Sequence, residues 1–349
     1  MKVAQLTVEK LRPVVRVGVD LAKSVYAVVA VDRREQVLVK RMLNRAAFRR
    51  FLENLPEGCV VAMEACGGAH ARGRFCSELG LRPMLLPPQA VKPYIGEQKN
   101  DLRDARGICE AAGRPVIQPV RLKTVAESDL QMVVRVREGR VAARTAKSNQ
   151  IRGFLGEYGI AMARGAVALK RQVPEILEDG ENGLSGQARE VLSSLYWEWQ
   201  ALQAQVEAAD EWIQRLQKAL PASRALQRIP GIGPVIALAW LALVGDGQQF
   251  QNGRQLAARL GLPPRQRSSG GKAKLGKLTQ HGQVYLRTLL IHGARAALNG
   301  SKASDDRLLR WARALAERIG KNRAAVALAN KLARVAWRLT VSGAEYQAA

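Results

Sequence analysis

Apolar and polar positions run in two rhythms along the chain, and the change from one to the other divides it. Residues 14–20 (VVRVGVD) and 25–31 (VYAVVAV) are rich in β-branched side chains, and they predict two strands joined by a short turn around Lys23 and Ser24. A third strand, 37–40, follows the polar turn DRREQ; a basic helix over 45–55 and an apolar strand at 59–63 (CVVAM) come next. The pattern then gives a helix at 69–80, a strand at 83–86 and a helix at 99–112.

From 124 to 220 the period lengthens to three and four. Leu192, Leu195, Trp199, Leu202, Val206, Ala209, Ile213, Leu216 and Leu220 make one stripe, as in a coiled coil. Its partner is either the chain's own 127–156 helix or a second protomer. Beyond 224 the segment IPGIGPVIALAWL (229–241) reads as a tight turn opening a helix, similar to a helix-hairpin-helix element. The expected domains are 12–123, 124–223 and 224–340. A strand meander feeding alternating helices and strands predicts an α/β first domain with a mixed sheet in ribonuclease-H-like order. A helical coiled-coil middle and a mainly α C-terminal domain follow.

Charge changes this picture. The 349 residues hold 55 Lys+Arg against 30 Asp+Glu, a net +25, and Arg outnumbers Lys 39 to 16. That excess points to a polyanionic partner, nucleic acid before anionic membrane, with Arg suited to bidentate phosphate contacts. The excess is not uniform. Residues 171–220 carry nine acids and four bases, whereas the 58 residues between Asp246 and Asp305 carry no acid and ten bases. These are Arg254, Arg259, Arg265, Arg267, Lys272, Lys274, Lys277, Arg287, Arg295 and Lys302. Such a segment is an electrostatic footprint for a phosphate backbone.

Other classes are disfavoured. The longest uncharged run, Ile229 to Gly245, is 17 residues and is interrupted by Pro230, Gly231, Gly233 and Pro234, so no membrane span is expected. The N-terminal residues lack the apolar core of a signal peptide. Cys59, Cys66, Cys76 and Cys109 form no Cys-x-x-Cys pair, which argues against a zinc finger and fits buried thiols in a reducing bacterial cytoplasm, near the nucleoid.

Three constellations offer chemistry. Asp20 ends the first strand and Glu64 follows the strand 59–63, while Asp101 and Asp104 share one face of a helix. Four converging carboxylates need a divalent cation, and hard oxygen ligands select Mg²⁺ or Mn²⁺. Alternatively, Asp20 is a turn residue and the other two lie on a solvated face. Gly231 and Gly233 present backbone N–H groups that can grip a phosphate, or serve the turn alone. Ser268 and Ser269 sit in a Gly-rich basic loop between two helical stretches. That loop is either a nucleophile towards phosphorus, with Arg265, Arg267, Lys272 and Arg287 around it, or a phosphate-gripping turn.

In this order the features resemble a transposase of the insertion-sequence family one-ten, the group that contains the Piv/MooV-type DNA invertases. The stretches that carry the resemblance are VGVDLAKSVYAVVAVD (17–32), VAMEACGGAHA (61–71), PPQAVKPYIGEQKNDLRDARGICEA (87–111), 229–272 and YLRTLLIHGARA (285–296). The resemblance implies a RuvC-like domain whose metal-binding tetrad is Asp20, Glu64, Asp101 and Asp104, and a second domain whose nucleophile is Ser269. It implies a composite site in which the tetrad of one subunit faces the serine of another, DNA element ends and target as substrates, and in some relatives a structured guide RNA; holding two DNA partners during strand exchange in turn calls for a homodimer or homotetramer. This chain departs where relatives often show Lys-Arg-Gly-Asp, reading Gln280-His281-Gly282-Gln283 instead. The other readings are a junction nuclease that uses water, and a non-catalytic basic nucleic-acid-binding protein.

Overall fold

A computed structural model describes residues 8–96, 100–266, 268–272, 274–279, 281–300 and 306–348. The chain divides into two units, residues 1–124 and 125–349.

In the first unit a short helix α1 (Val8–Leu11) leads into the meander β1 (Arg16–Leu21), β2 (Val25–Val31) and β3 (Val37–Asn44). Then come α2 (Arg45–Glu53), β4 (Val60–Glu64), α3 (Ala69–Glu78), β5 (Arg82–Leu86), α4 (Pro88–Val91) with a 3-10 turn, and α5 (Asp101–Ala112). The sheet order is β3-β2-β1-β4-β5; β1 pairs antiparallel with β2 and parallel with β4. The third strand runs on to Asn44 rather than stopping at Lys40, because it pairs with the whole of β2. The side-chain period of two sorts the faces. Val17, Val19, Val28, Val61 and Met63 pack with Phe48, Phe51 and Cys76 from α2 and α3. Gly18, Ala27, Val29 and Ala62 face α5, which supplies Ala105 and Ile108. Gly18 lets that helix come close: a Cβ there would lie 2.1 Å from Ala105 O. Arg16 Nε donates to Cys109 O at 2.8 Å, tying the start of β1 to the far end of α5. Cys59, Cys76 and Cys109 are buried, but Cys66 is exposed, correcting the expectation of four buried thiols: it follows the strand end in a turn.

The second unit is built on α6 (Val125–Glu157) and α8 (Gly186–Ala219), with α7 (Ala166–Glu178) between them in sequence. Arg137 meets Asp210, Arg144 meets Gln203 and Ser148 meets Trp199, a register that makes α6 and α8 antiparallel. Each helix runs for about 50 Å at 1.5 Å per residue. Most of the apolar stripe is consumed by this pairing: Leu192, Leu195, Trp199, Val206, Ala209 and Ile213 are buried within the chain. Of the two partners the sequence left open, the stripe packs on the chain's own α6, as an internal hairpin.

At the base of the hairpin α9 (Pro221–Gln227), α10 (Pro234–Leu243), α11 (Gly253–Leu260), α12 (Val284–Asn299), α13 (Arg307–Ile319) and α14 (Lys321–Ser342) share one core. Trp240, fully buried on α10, donates its indole N–H to Thr340 Oγ1 of α14 at 3.0 Å. Val134 and Ile213 belong to the same core, and Tyr285 Oη on α12 donates to Val134 O at 3.1 Å. Between α11 and α12 lies a two-stranded hairpin, β6 (Pro264–Gln266) and β7 (Leu275–Leu278), in a segment that the sequence pattern reads as a loop. Among the described residues, no helix is long and apolar enough to cross a membrane.

Candidate functional site

Strand pairing places the first two carboxylates side by side. Val19 is opposite Met63 in the parallel β1–β4 pair, so the next residues along, Asp20 and Glu64, lie beside each other on the α5 face of the sheet. Helix α5 begins there, capped by Asn100, whose side chain accepts from Leu102 N at 3.0 Å. Its first turn carries Asp101 and Asp104, where the helix N-terminus favours negative charge. Carboxylate oxygens of Asp20, Asp101 and Asp104 lie within 4.8 Å of one another. Glu64 stands outside that group of three but next to it: burial, then the charges of Asp20 and Asp104, push its carboxyl above the usual range.

The donor set fits a divalent cation. It is all oxygen, which suits a hard ion. Asp104 is only 8% exposed, and its Oδ1 is buried with no hydrogen-bond partner among the described residues. A buried carboxylate oxygen left without a partner is costly unless a cation or proton meets it.

The serines occupy the tip of the β6–β7 hairpin. Lys272 N donates to Ser269 O at 3.1 Å across Gly270 and Gly271, which have φ of +58° and +76°. Two positive φ angles in sequence define a type I′ turn, for which Gly-Gly is a preferred pair. The Gly-rich segment is therefore a hairpin tip rather than an irregular loop, and the Gly-Gly pair was the signal for it. Both serines are exposed. Gln266 Nε2 donates to Ser268 Oγ at 2.8 Å, whereas no side-chain hydrogen bond engages Ser269 Oγ among the described residues. Arg265, Lys272, Lys274 and Lys277 are exposed on the hairpin, and Arg254 and Arg259 are exposed on α11. Arg267, Gln280 and Lys302 lie outside the described residues.

Arg287 needs correction as a phosphate contact. It is buried, and its Nη1 donates to the carbonyls of Gly261, Thr279 and His281 at 3.2, 2.8 and 3.1 Å. It fastens the hairpin base to α12 instead of reaching solvent. The PGIG turn also has a packing role. Gly231, at φ +86°, abuts Gly293 of α12, and beside the turn is a cavity of about 580 Å³ lined by Gly231, Gly233 and His292.

Sequence reasoning missed a second basic group. Lys331, Arg334 and Arg338 of α14 line a cleft with Arg254 of α11. Their spacing of three and four residues was the available signal, hidden because the three are separated by apolar residues rather than gathered in one run.

Residues 17–160 match a family described as a transposase, and residues 223–308 match the transposase IS116/IS110/IS902 family. A probable family 20 transposase of Pseudomonas aeruginosa is 44% identical over 93% of this chain and 96% of its own. The transposase for insertion sequence element IS1111A of Coxiella burnetii is 43% identical over 95% of this chain and 90% of its own. That for IS1328 of Yersinia enterocolitica is 35% identical over 94% and 97%. Carboxylates gathered on a mixed sheet, a strongly basic helical unit and these matches define an insertion-sequence DNA transposase. The chain belongs to the IS116/IS110/IS902 family.

Proposed function

We propose that the transposase is a Mg²⁺- or Mn²⁺-dependent recombinase that cuts and rejoins strands through a covalent serine intermediate. The observation that carries the reading is the convergence of Asp20, Asp101 and Asp104, with Glu64 adjacent and Asp104 Oδ1 unpartnered. In a RuvC-like arrangement these four residues hold the metal. When bound, such an ion supplies Lewis-acid polarisation of the scissile phosphate. Asn100 and the helix N-terminus of α5 orient Asp101 and Asp104 for that task.

Ser269 is the nucleophile because its hydroxyl is exposed at a turn that fixes its backbone, while the Ser268 hydroxyl is held by Gln266. Its Oγ loses a proton and bonds to phosphorus; one bridging P–O bond breaks, and the departing strand oxygen takes up a proton. A hydroxyl of the incoming strand then attacks the phosphoserine and frees the serine. Arg265, Lys272, Lys274 and Lys277, with Arg254, Arg259 and Arg267, hold backbone phosphates on either side. Gly231 and Gly233 offer a backbone phosphate contact at the mouth of their cavity. The division of labour follows residues 12–123 for the metal, 124–223 for the arm and 224–340 for the serine. The tetrad of one subunit serves the serine of another, in a dimer on one duplex and a tetramer on two. A structured guide RNA selects the DNA.

The test is cutting and joining of element-end DNA by the purified protein, with Mg²⁺ and with chelator. Strand joining that needs metal and each tetrad carboxylate supports the reading. Cutting without joining favours a water-using junction nuclease, and binding without cutting favours a non-catalytic protein.

A further inference from the structure

The cleft between the start of α11 and the C-terminal half of α14 has a volume of about 630 Å³, and Arg254, Lys331, Arg334 and Arg338 line it without an acid. Among the described residues, none of the four makes an ion pair. Lys331 is only partly exposed, with Nζ 3.6 Å from the centre of the Trp311 ring. Burial first, then the positive charges of Arg334 and Arg307, hold its pKa below the ordinary lysine value. Like charges gathered in a partly dry recess repel one another, and an anion relieves that repulsion. The walls are firm. Trp337 donates its indole N–H to Gly247 O at 3.0 Å, and Gly253 admits α14 so closely that a Cβ would lie 3.2 Å from Arg334 Cα.

We propose that this cleft is a second phosphodiester-backbone site, in which Lys331, Arg334 and Arg338 act with Arg254 on a nucleic-acid strand apart from the serine hairpin. Helix α11 links the two places. It starts at the cleft and ends, at Leu260, just before the hairpin. Its eight residues span about 12 Å at 1.5 Å per residue. That is between three and four nucleotide steps at about 3.4 Å each. One strand laid along α11 therefore reaches from the cleft to the base of the serine hairpin.

This inference rests on the reading that the second unit handles nucleic acid. The test is fluorescence anisotropy of the full chain with labelled duplex DNA and with a labelled RNA stem-loop, across a salt series. Lys331→Gln, Arg334→Gln and Arg338→Gln combined should weaken binding at least about tenfold and flatten the log–log salt slope by about 0.9 for each phosphate no longer neutralised. A charge-matched control, Arg318→Gln with Lys321→Gln and Arg323→Gln on exposed surface, should change affinity less than the cleft variant. A loss confined to the duplex assigns the cleft to DNA, and one confined to the stem-loop assigns it to RNA. If the triple variant melts early, the exposed Arg338→Gln alone should still lower the slope by about one. An unchanged cleft variant, or an equal loss in the control, overturns the site. A wild-type protein that binds neither probe overturns the functional reading itself.

Discussion

Gly231 and Gly293 meet backbone to backbone: a Cβ on Gly293 would lie 2.0 Å from Gly231 O, and one on Gly231 would lie 2.7 Å from Gly293 O. The contact seats the PGIG turn on α12 and so fixes where the N-terminus of α10 points. Gly293→Ala should force the helices apart and cost about 1–3 kcal/mol, the usual range for overpacking. Gly233→Ala should be tolerated far better, since Gly233 has φ −86° and open space within 4 Å of where a Cβ would sit. Thermal melts of the two variants check the contrast.

Arg287 predicts a separation of stability from affinity. Removing its guanidinium leaves the carbonyls of Gly261, Thr279 and His281 without that donor. Arg287→Met should destabilise the protein by about 1–3 kcal/mol, the cost of an unsatisfied buried group. The salt slope of nucleic-acid binding should stay at its wild-type value. A slope lowered by about one unit would restore Arg287 as a phosphate contact.

Much of the first unit was legible because its central strands β1, β2 and β4 are buried on both faces and rich in Val, so length and β-branching defined them. Asp20, Glu64, Asp101 and Asp104 could be singled out for the same reason: they stand at element ends, where chemistry leaves the core. Three things were not legible. An apolar stripe does not name its partner, and only the register through Ser148–Trp199 and Arg144–Gln203 identifies α6. Nor does a basic residue declare its exposure, so Arg287 looks like its neighbours until its carbonyl partners are seen. The β6–β7 hairpin escaped because its strands are short and polar, with three and four residues.

The α6–α8 pairing predicts what the stripe does when broken. Trp199 is 1% exposed and gives its N–H to Ser148 Oγ at 2.9 Å. Trp199→Ala should cost about 3–5 kcal/mol, as for other large core truncations. Leu202→Glu with Ile213→Glu should lower the melting temperature rather than merely dissociate protomers, because Ile213 is buried within the chain. A stable, folded double variant that only loses self-association would contradict the internal pairing.

Glu64 links the site to pH. Its carboxyl titrates above its ordinary value of 4.5, through burial and then the charges of Asp20 and Asp104. Between the ordinary value and the raised one, the folded protein holds a proton that the unfolded chain has released. By linkage, stability of the metal-free protein falls as pH rises from the unfolded value through the folded one. Glu64→Gln should therefore melt higher than wild type at neutral pH, with the gain vanishing below the ordinary carboxylate range. Added Mg²⁺ should narrow the difference by stabilising wild type more. Denaturation curves at the two pH values decide it.

The most direct measurement is the capture of the covalent intermediate. The protein is reacted with element-end DNA in Mg²⁺, quenched in denaturant, digested, and the DNA-linked peptide is sequenced by mass spectrometry. The account predicts a phosphodiester link at Ser269 that is lost in Ser269→Ala, kept in Ser268→Ala, and absent when Asp104→Asn removes a metal ligand. Metal-dependent cutting with no protein–DNA link, or a link that survives Ser269→Ala, would contradict it.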